Sequence, residues 1–218
     1  MNLDKLVVQV DGDNPDTRVI SQAAGLIRDG AVLVLPTDTC YIFAANALDP
    51  VAVGKVFAIK KRPLGQPIHM AVGDLDMAEE YGELNQAARL LASRFLPGPL
   101  TLVLPRRRSI PDVLVGGGAT VGIRIPDNRV LLEVVMVAGL PVTATSANIS
   151  GLPTPYTVAE VLEQLGPQET RLALALDQGP LPEVSTSTII DLSSSEPRIL
   201  REGPIPGAVL LRALGVRE

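Results

Sequence analysis

The chain has 218 residues, a formal net charge of −5, one cysteine and one histidine. A lone Cys40 excludes an intrachain disulfide, and with His69 as the single imidazole a zinc site built from His and Cys has too few ligands. The 46% hydrophobic content is mostly aliphatic, with no Trp and three each of Tyr and Phe. Packing in aliphatic layers, an α/β arrangement in one compact domain, is therefore expected. The 19 glycines and 19 prolines are spread along the chain, which fits many tight turns and order nearly end to end. The N-terminal stretch MNLDKLVVQVDG is not a signal peptide, and no run of about 18 uncharged apolar residues occurs. A soluble cytoplasmic protein without membrane contact is the expectation. Net acidity disfavours nonspecific nucleic-acid binding. Arg106-Arg107-Arg108 reads first as a solvated loop, with a nucleic-acid contact as the alternative.

In chain order, residues 7–10 form a short strand. A helix follows, with Asn14 as its N-cap, Pro15 in its first turn and Gly30 at its end. Residues 31–35 are an apolar strand ending at Pro36, and open α/β sheets place ligands at such strand ends. Asp49-Pro50 starts a helix to about Ile59, which delivers Lys60, Lys61 and Arg62 at its C-terminus, where cations oppose the dipole. Residues 68–72 are a strand and 85–95 a helix. Pro97-Gly98-Pro99 makes a rigid corner before a strand over 100–104, and Gly116-Gly117-Gly118 a flexible or close-approach turn before a strand over 120–125. A helix over 127–138 and a strand over 141–144 lead into a polar loop, 146–155. Thr157 and Glu160 form a capping box for a helix to about Leu165. Strands at 172–176, 188–192 and 198–200, with a short helix near 207–214, complete the chain. Hairpin steps mixed with strand-helix-strand steps predict a mixed, twisted sheet.

Several residues can carry chemistry. Lys60 and Arg62 can bind phosphates or carboxylates, the guanidinium in bidentate fashion; an ordinary helix end is the plain alternative. Ser146 and Asn148 lie two apart after an apolar strand and point the same way, unless they only close an Asx or Ser turn. Thr37 and Thr39 repeat that spacing, with Tyr41 continuing the row; strand-edge polarity is the alternative. Arg124, inside VGIRIP, needs an ion-pair partner or a cleft. His69 reads as a packed or surface histidine, and without a second histidine or a reactive-serine motif a Ser-His-Asp hydrolase is not supported. Cys40 reads as an inert buried thiol. Neither a P-loop nor a G-x-G-x-x-G fingerprint occurs.

The series PTDTCY, KKRP, FLPGPLTLVLP, TVGIRIPDN, TSANISG, STIIDL and ILREGPI, in that order, resembles the YrdC-like family of threonylcarbamoyl-AMP synthases over about residues 15–206. The resemblance implies a single YrdC-like domain over 1–218, folded as a twisted open mixed sheet with helices packed on it and a large concave electropositive groove. It implies the conversion of L-threonine, bicarbonate and ATP, with Mg²⁺, to threonylcarbamoyl-AMP and pyrophosphate for tRNA modification, with tRNA and transfer proteins downstream. It assigns Lys60 and Arg62 to catalysis and Arg62, Gln66, Thr120, Ser146, Asn148, Thr154 and Arg201 to ATP. Thr39, Arg124, Ala144 and Ser187 are assigned to threonine, and no protein residue to a metal. No protein nucleophile is needed: a threonine carbamate attacks the α-phosphorus, and catalysis is alignment plus neutralisation by Lys60, Arg62 and Mg²⁺. Lys60 and Arg62 are expected to be exposed in the groove. A non-catalytic nucleotide- or RNA-binding paralogue is the alternative.

Two positions depart from the family pattern. Tyr41-Ile42-Phe43 stands where members commonly read Tyr-Gly-Leu, and Ala71 where many carry a histidine. The chain also ends shortly after Gly203, so the short type without the extra C-terminal domain is expected.

Overall fold

The computed structural model describes residues 6–216, so the reading of the N-terminal stretch falls partly on residues outside the described ones. Ten strands form one mixed sheet. They are β1 (Val7–Gln9), β2 (Leu33–Leu35), β3 (Ile42–Ala44), β4 (His69–Ala71), β5 (Leu100–Pro105), β6 (Thr120–Arg124), β7 (Val142–Ser146), β8 (Leu174–Asp177), β9 (Thr188–Asp191) and β10 (Arg198–Arg201). Their order is β1-β8-β2-β3-β7-β4-β6-β5-β9-β10. Pairs β1/β8, β8/β2, β4/β6 and β5/β9 are parallel and the other five antiparallel. The mixed sheet expected from the step pattern is therefore present.

Seven α-helices pack on the sheet: α1 (Thr17–Arg28), α2 (Pro50–Lys60), α3 (Leu75–Tyr81), α4 (Gln86–Phe95), α5 (Arg129–Ala138), α6 (Val158–Leu165) and α7 (Gly207–Ala213). Most start where a short polar side chain accepts from the first turn, as Asp49, Asn85 and Thr157 do, the last within the foreseen capping box. For α1 the cap is Asp16, not Asn14: its carboxylate accepts from the Arg18 amide, which starts the helix two residues later than expected. Two elements were not foreseen, β3 and α3. The strand over residues 141–144 also extends to Ser146.

Alternation along the strands sorts the core into two layers. One face buries Val34, Phe43, Met70, Leu102, Leu104, Val121, Ile123 and Ile190 under α2, α3, α4, α6 and α7. The opposite face is covered mainly by α1 and α5, whose Ile20, Ala23, Ile27, Val130, Leu131, Val134 and Val135 pack on Leu33, Leu35, Ala44, Val142 and Leu174. That roof serves β1, β8, β2 and β3 and reaches Val142 of β7 and Ala71 of β4. Past those residues, at the His69 end of β4 and over β6, β5 and β9, the same face lines a cleft and the side chains turn polar.

Candidate active-site cleft

The open face carries a cleft of about 300 Å³ whose wall draws on both ends of the chain. Every second residue of each strand contributes: Ile42 of β3, Ala144 and Ser146 of β7, His69 of β4, Arg124 of β6, Thr101 of β5, Ile189 of β9 and Arg201 of β10. Register brings them level, since Ile42 stands opposite Ser146 and His69 opposite Ala144. Three guanidiniums line the cleft and no carboxylate does. A protein of net charge −5 thus concentrates positive charge in this concave region, where low-dielectric walls strengthen it.

Arg124 is held from three sides. It is 6% exposed, its Nη2 donates to Asp38 Oδ1 at 2.5 Å, its Nη1 to Thr39 Oγ1 at 2.9 Å and its Nε to Gly98 O at 3.0 Å. Ion pair and cleft, posed as alternatives, are therefore both realised. Three of its five N–H donors are used, which leaves two for a ligand. The corner at Gly98 serves this residue, and the bend around Asp38 supplies its other partners. That bend is an ST turn, with Thr37 Oγ1 accepting from the amides of Thr39 and Cys40. It replaces the expected row of Thr37, Thr39 and Tyr41. Tyr41 leaves the row entirely and donates through its hydroxyl to Gly179 O at 2.7 Å. Burial raises the Cys40 thiol, consistent with an inert cysteine.

Arg62 and Lys60 part company. Lys61 ends α2 in the left-handed region, φ 51°, and this reversal throws Arg62 toward the cleft. There its Nη2 donates to Pro67 O at 3.0 Å. Lys60, expected to be exposed in the groove, is only 2% exposed. Its Nζ donates to Ser146 O at 2.5 Å and to Asn148 O and Oδ1 at 2.9 Å each, and lies 5.6 Å over the Phe43 ring. Burial, then the Arg62 charge, lowers it to about 7. A lysine ammonium has three donors, and all three are spent on the end of β7 and the turn after it. Helix packing, not helix-end solvation, decides its environment.

Ser146 Oγ donates to Asn148 Oδ1 at 2.6 Å, and Asn148 Nδ2 to Leu152 O at 2.6 Å. The turn reading is therefore correct for Asn148, while Ser146 also lines the cleft. Arg201 donates through Nε and Nη2 to Ser187 O at 3.0 and 2.7 Å, and the Ser187 hydroxyl is 2.8 Å from Thr101 Oγ1. Of the residues singled out from sequence, Thr39, Arg62, Arg124, Ala144, Ser146, Ser187 and Arg201 meet in the cleft wall. Lys60, Gln66, Thr120, Asn148 and Thr154 stand outside that lining, although Thr120 shares the face of Arg124 on β6. Sequence reasoning missed Thr101, Thr186 and the cleft position of His69. Thr101 carried a signal: a lone hydroxyl in Leu100-Thr101-Leu102, one step from the Leu102–Ile123 pair, is level with Arg124. The basic run is tied down in part, with Arg106 paired to Asp112 at 2.6 Å and Arg107 3.8 Å from Glu83.

Fold and cleft together define an α/β protein with a guanidinium-lined cleft on the open face of a mixed sheet. The Sua5/YciO/YrdC family model, described as telomere recombination, matches residues 25–203, and the chain belongs to that family. It is 37% identical over 194 residues to a threonylcarbamoyl-AMP synthase of Pyrococcus abyssi, covering 88% of this chain and 56% of that one. It is 37% identical over 191 residues to one from Bacillus subtilis, 85% and 54% of the two chains. The chain thus spans little more than half the length of these two relatives. Among solved structures, P. abyssi Sua5 complexed with L-threonine superposes with a TM-score of 0.91 at 35% identity, over 96% of this chain and 61% of that one. Escherichia coli YciO superposes at 0.80 with 28% identity, over 91% and 95%.

Proposed function

We propose that this protein is an ATP-dependent threonylcarbamoyl-AMP synthase acting through a single domain over residues 1–218. In this reading it converts L-threonine, bicarbonate and ATP to threonylcarbamoyl-AMP and pyrophosphate in the cytoplasm, for modification of tRNA by downstream transfer proteins. The observation that carries it is the meeting of Arg62, Arg124 and Arg201 with Thr39, Ser146 and Ser187 in one cleft. The names of the relatives and the threonine complex of the archaeal homologue support it.

The two unused donors of Arg124 suit a carboxylate in bidentate fashion, with the Thr39 and Ser187 hydroxyls at hand for the amino acid and Ala144 shaping its floor. Arg62 and Arg201 suit the phosphates, and Ser146 offers a hydroxyl beside them. Lys60 then acts by fixing Ser146 and Asn148 rather than by gripping phosphate. Gln66, Thr120, Asn148 and Thr154 are assigned to ATP by resemblance alone. The reaction needs alignment of a carbamate oxygen with the α-phosphorus and neutralisation of the pyrophosphate leaving group, which fixed guanidiniums supply. No carboxylate lines the cleft, and Mg²⁺ at nucleotide sites is held largely by substrate phosphates and water. In this reading magnesium enters with the nucleotide substrate.

The test is pyrophosphate release from ATP, bicarbonate and Mg²⁺ with and without threonine. Release that threonine does not stimulate overturns the reading. A second reading, a nucleotide- or RNA-binding paralogue without this activity, draws on Ile42, whose side chain lies on the cleft floor where the family commonly has glycine. Salt-sensitive tRNA binding without adenylate formation would favour it.

A further inference from the structure

Any ligand with an ammonium group as well as anionic groups meets guanidiniums from several sides of this cleft and no carboxylate in its wall. One titratable nitrogen acceptor stands there, His69, the single histidine of the chain. Its position is built. β4 holds it opposite Ala144, on the cleft face. On the neighbouring β6, Gly122 leaves the space its ring fills: a Cβ there would lie 2.5 Å from the ring Cδ2 and 3.1 Å from Nε2. Among the described residues no protein hydrogen bond engages the ring, so its nitrogens are available to a ligand.

The charged and titratable groups around the ring are Arg62 after α2, Arg124 on β6 with its partner Asp38, Arg201 on β10, and the Cys40 thiol in the bend before β3. Gly122 and Ala144, its strand neighbours, carry no charge. Burial first, then Arg201, Arg62 and Arg124, lowers the imidazole to about 4, so at neutral pH the ring is uncharged and a weak base. A polyanion resting on those guanidiniums reverses the sign of the local field.

We infer that His69 is the proton acceptor of the cleft and becomes basic when a polyanion covers Arg62, Arg124 and Arg201, so that it takes a proton from the amine of the co-substrate. The coupling of the ring to anion binding is independent of the synthase reading; the amine step rests on it. In that step the ammonium proton passes to an imidazole nitrogen, giving R–NH₂ and the imidazolium. The free amine then combines with bicarbonate to give the carbamate R–NH–COO⁻ and one water. Order of events follows, since the base appears only once the triphosphate is in place.

One histidine per chain makes the test direct. Its ring carbon and nitrogen NMR signals are titrated with pH in the free protein and with saturating inorganic triphosphate, with amide signals reporting binding. The midpoint should rise by about 1–3 pH units with triphosphate bound. A bound triphosphate with an unmoved midpoint, or no binding at all, overturns the inference. In the synthase assay, His69→Gln should lower kcat by about 10²–10⁴-fold and abolish the acid limb of its pH profile, with little change in KM for ATP. A variant with wild-type kcat and acid limb overturns the amine step. If the unmodified protein shows no threonine-dependent pyrophosphate release, the synthase reading falls and takes the amine step with it, while the titration alone still decides whether the ring is coupled to anions.

Discussion

The two halves of the sheet face the same side of the molecule with opposite contents. Over β1, β8, β2 and β3, α1 and α5 lay down Ile, Ala and Val, and the strands answer with Leu33, Leu35 and Leu174. On β4 the roof reaches Ala71 but not His69, and the same alternating positions of β4, β6, β5 and β9 hold His69, Arg124, Thr101 and Ile189 in the cleft wall. The difference teaches that strand alternation only chooses a face. Whether that face becomes core or cleft depends on whether an amphipathic helix is available to cover it, and both roofing helices are used up by the time the sheet reaches Ala71 of β4.

This contrast can be broken from either side. The largest effect should come from the roofed half: Leu33→Ala deletes a fully buried side chain and should cost about 2–5 kcal/mol in chemical denaturation, with substrate KM values unchanged. At the border, Lys60 and Arg62 should separate cleanly. Lys60→Ala strips three charge-assisted donors from Ser146 and Asn148 and should lower stability by about 1.5–3 kcal/mol or more. Arg62→Ala should leave the denaturation midpoint almost unmoved and raise the KM for ATP by about 10- to 100-fold. Equal destabilisation by both would refute the division between a buried clamp and a cleft-facing arginine.

A smaller effect is tied to pH. The folded protein holds His69 near 4, below its unfolded value of 6.5. Between those values the unfolded chain binds more protons, so stability is fully present above about 6.5 and is lost as pH falls toward 4. Relative to His69→Gln, the wild type should therefore lose stability across that window, as read by melting temperatures at matched ionic strength. Smallest is Lys61→Gly. Glycine relieves the left-handed backbone at φ 51° but gains freedom in the unfolded chain, so a stabilisation of about 1 kcal/mol or less is expected.

Much of the fold was legible because its signals are local. Asp49-Pro50, Asn85 and the Thr157/Glu160 pair announce helices by chemistry within one turn, and the aliphatic runs mark most strands. α1 was shifted because two competent caps, Asn14 and Asp16, lie in one stretch and only packing of Ile20 and Ala23 decides between them. β3 was hidden in the row of polar residues before it, and α3 is too short to show a period. The site was legible as a set of residues but not as a set of roles. The burial of Lys60 arises from contacts 86 and 88 positions away, and the niche for His69 arises from a missing side chain on another strand. Neither leaves a trace in the spacing of nearby residues.

Gly116, the first of the three glycines at 116–118, shows how far the setting of Arg62 extends. Gly116 adopts φ +60°, and a Cβ there would come within 2.3 Å of the Gly65 carbonyl oxygen, while the Ile68 amide donates to Leu114 O at 2.8 Å. Main chain touches main chain at this seam, so the stretch bearing Arg62 is braced from behind by a segment that takes no part in the chemistry. A single methyl added at 116 would act as a wedge at the hinge of that brace, and its effect would surface as a displaced Arg62 in the cleft wall.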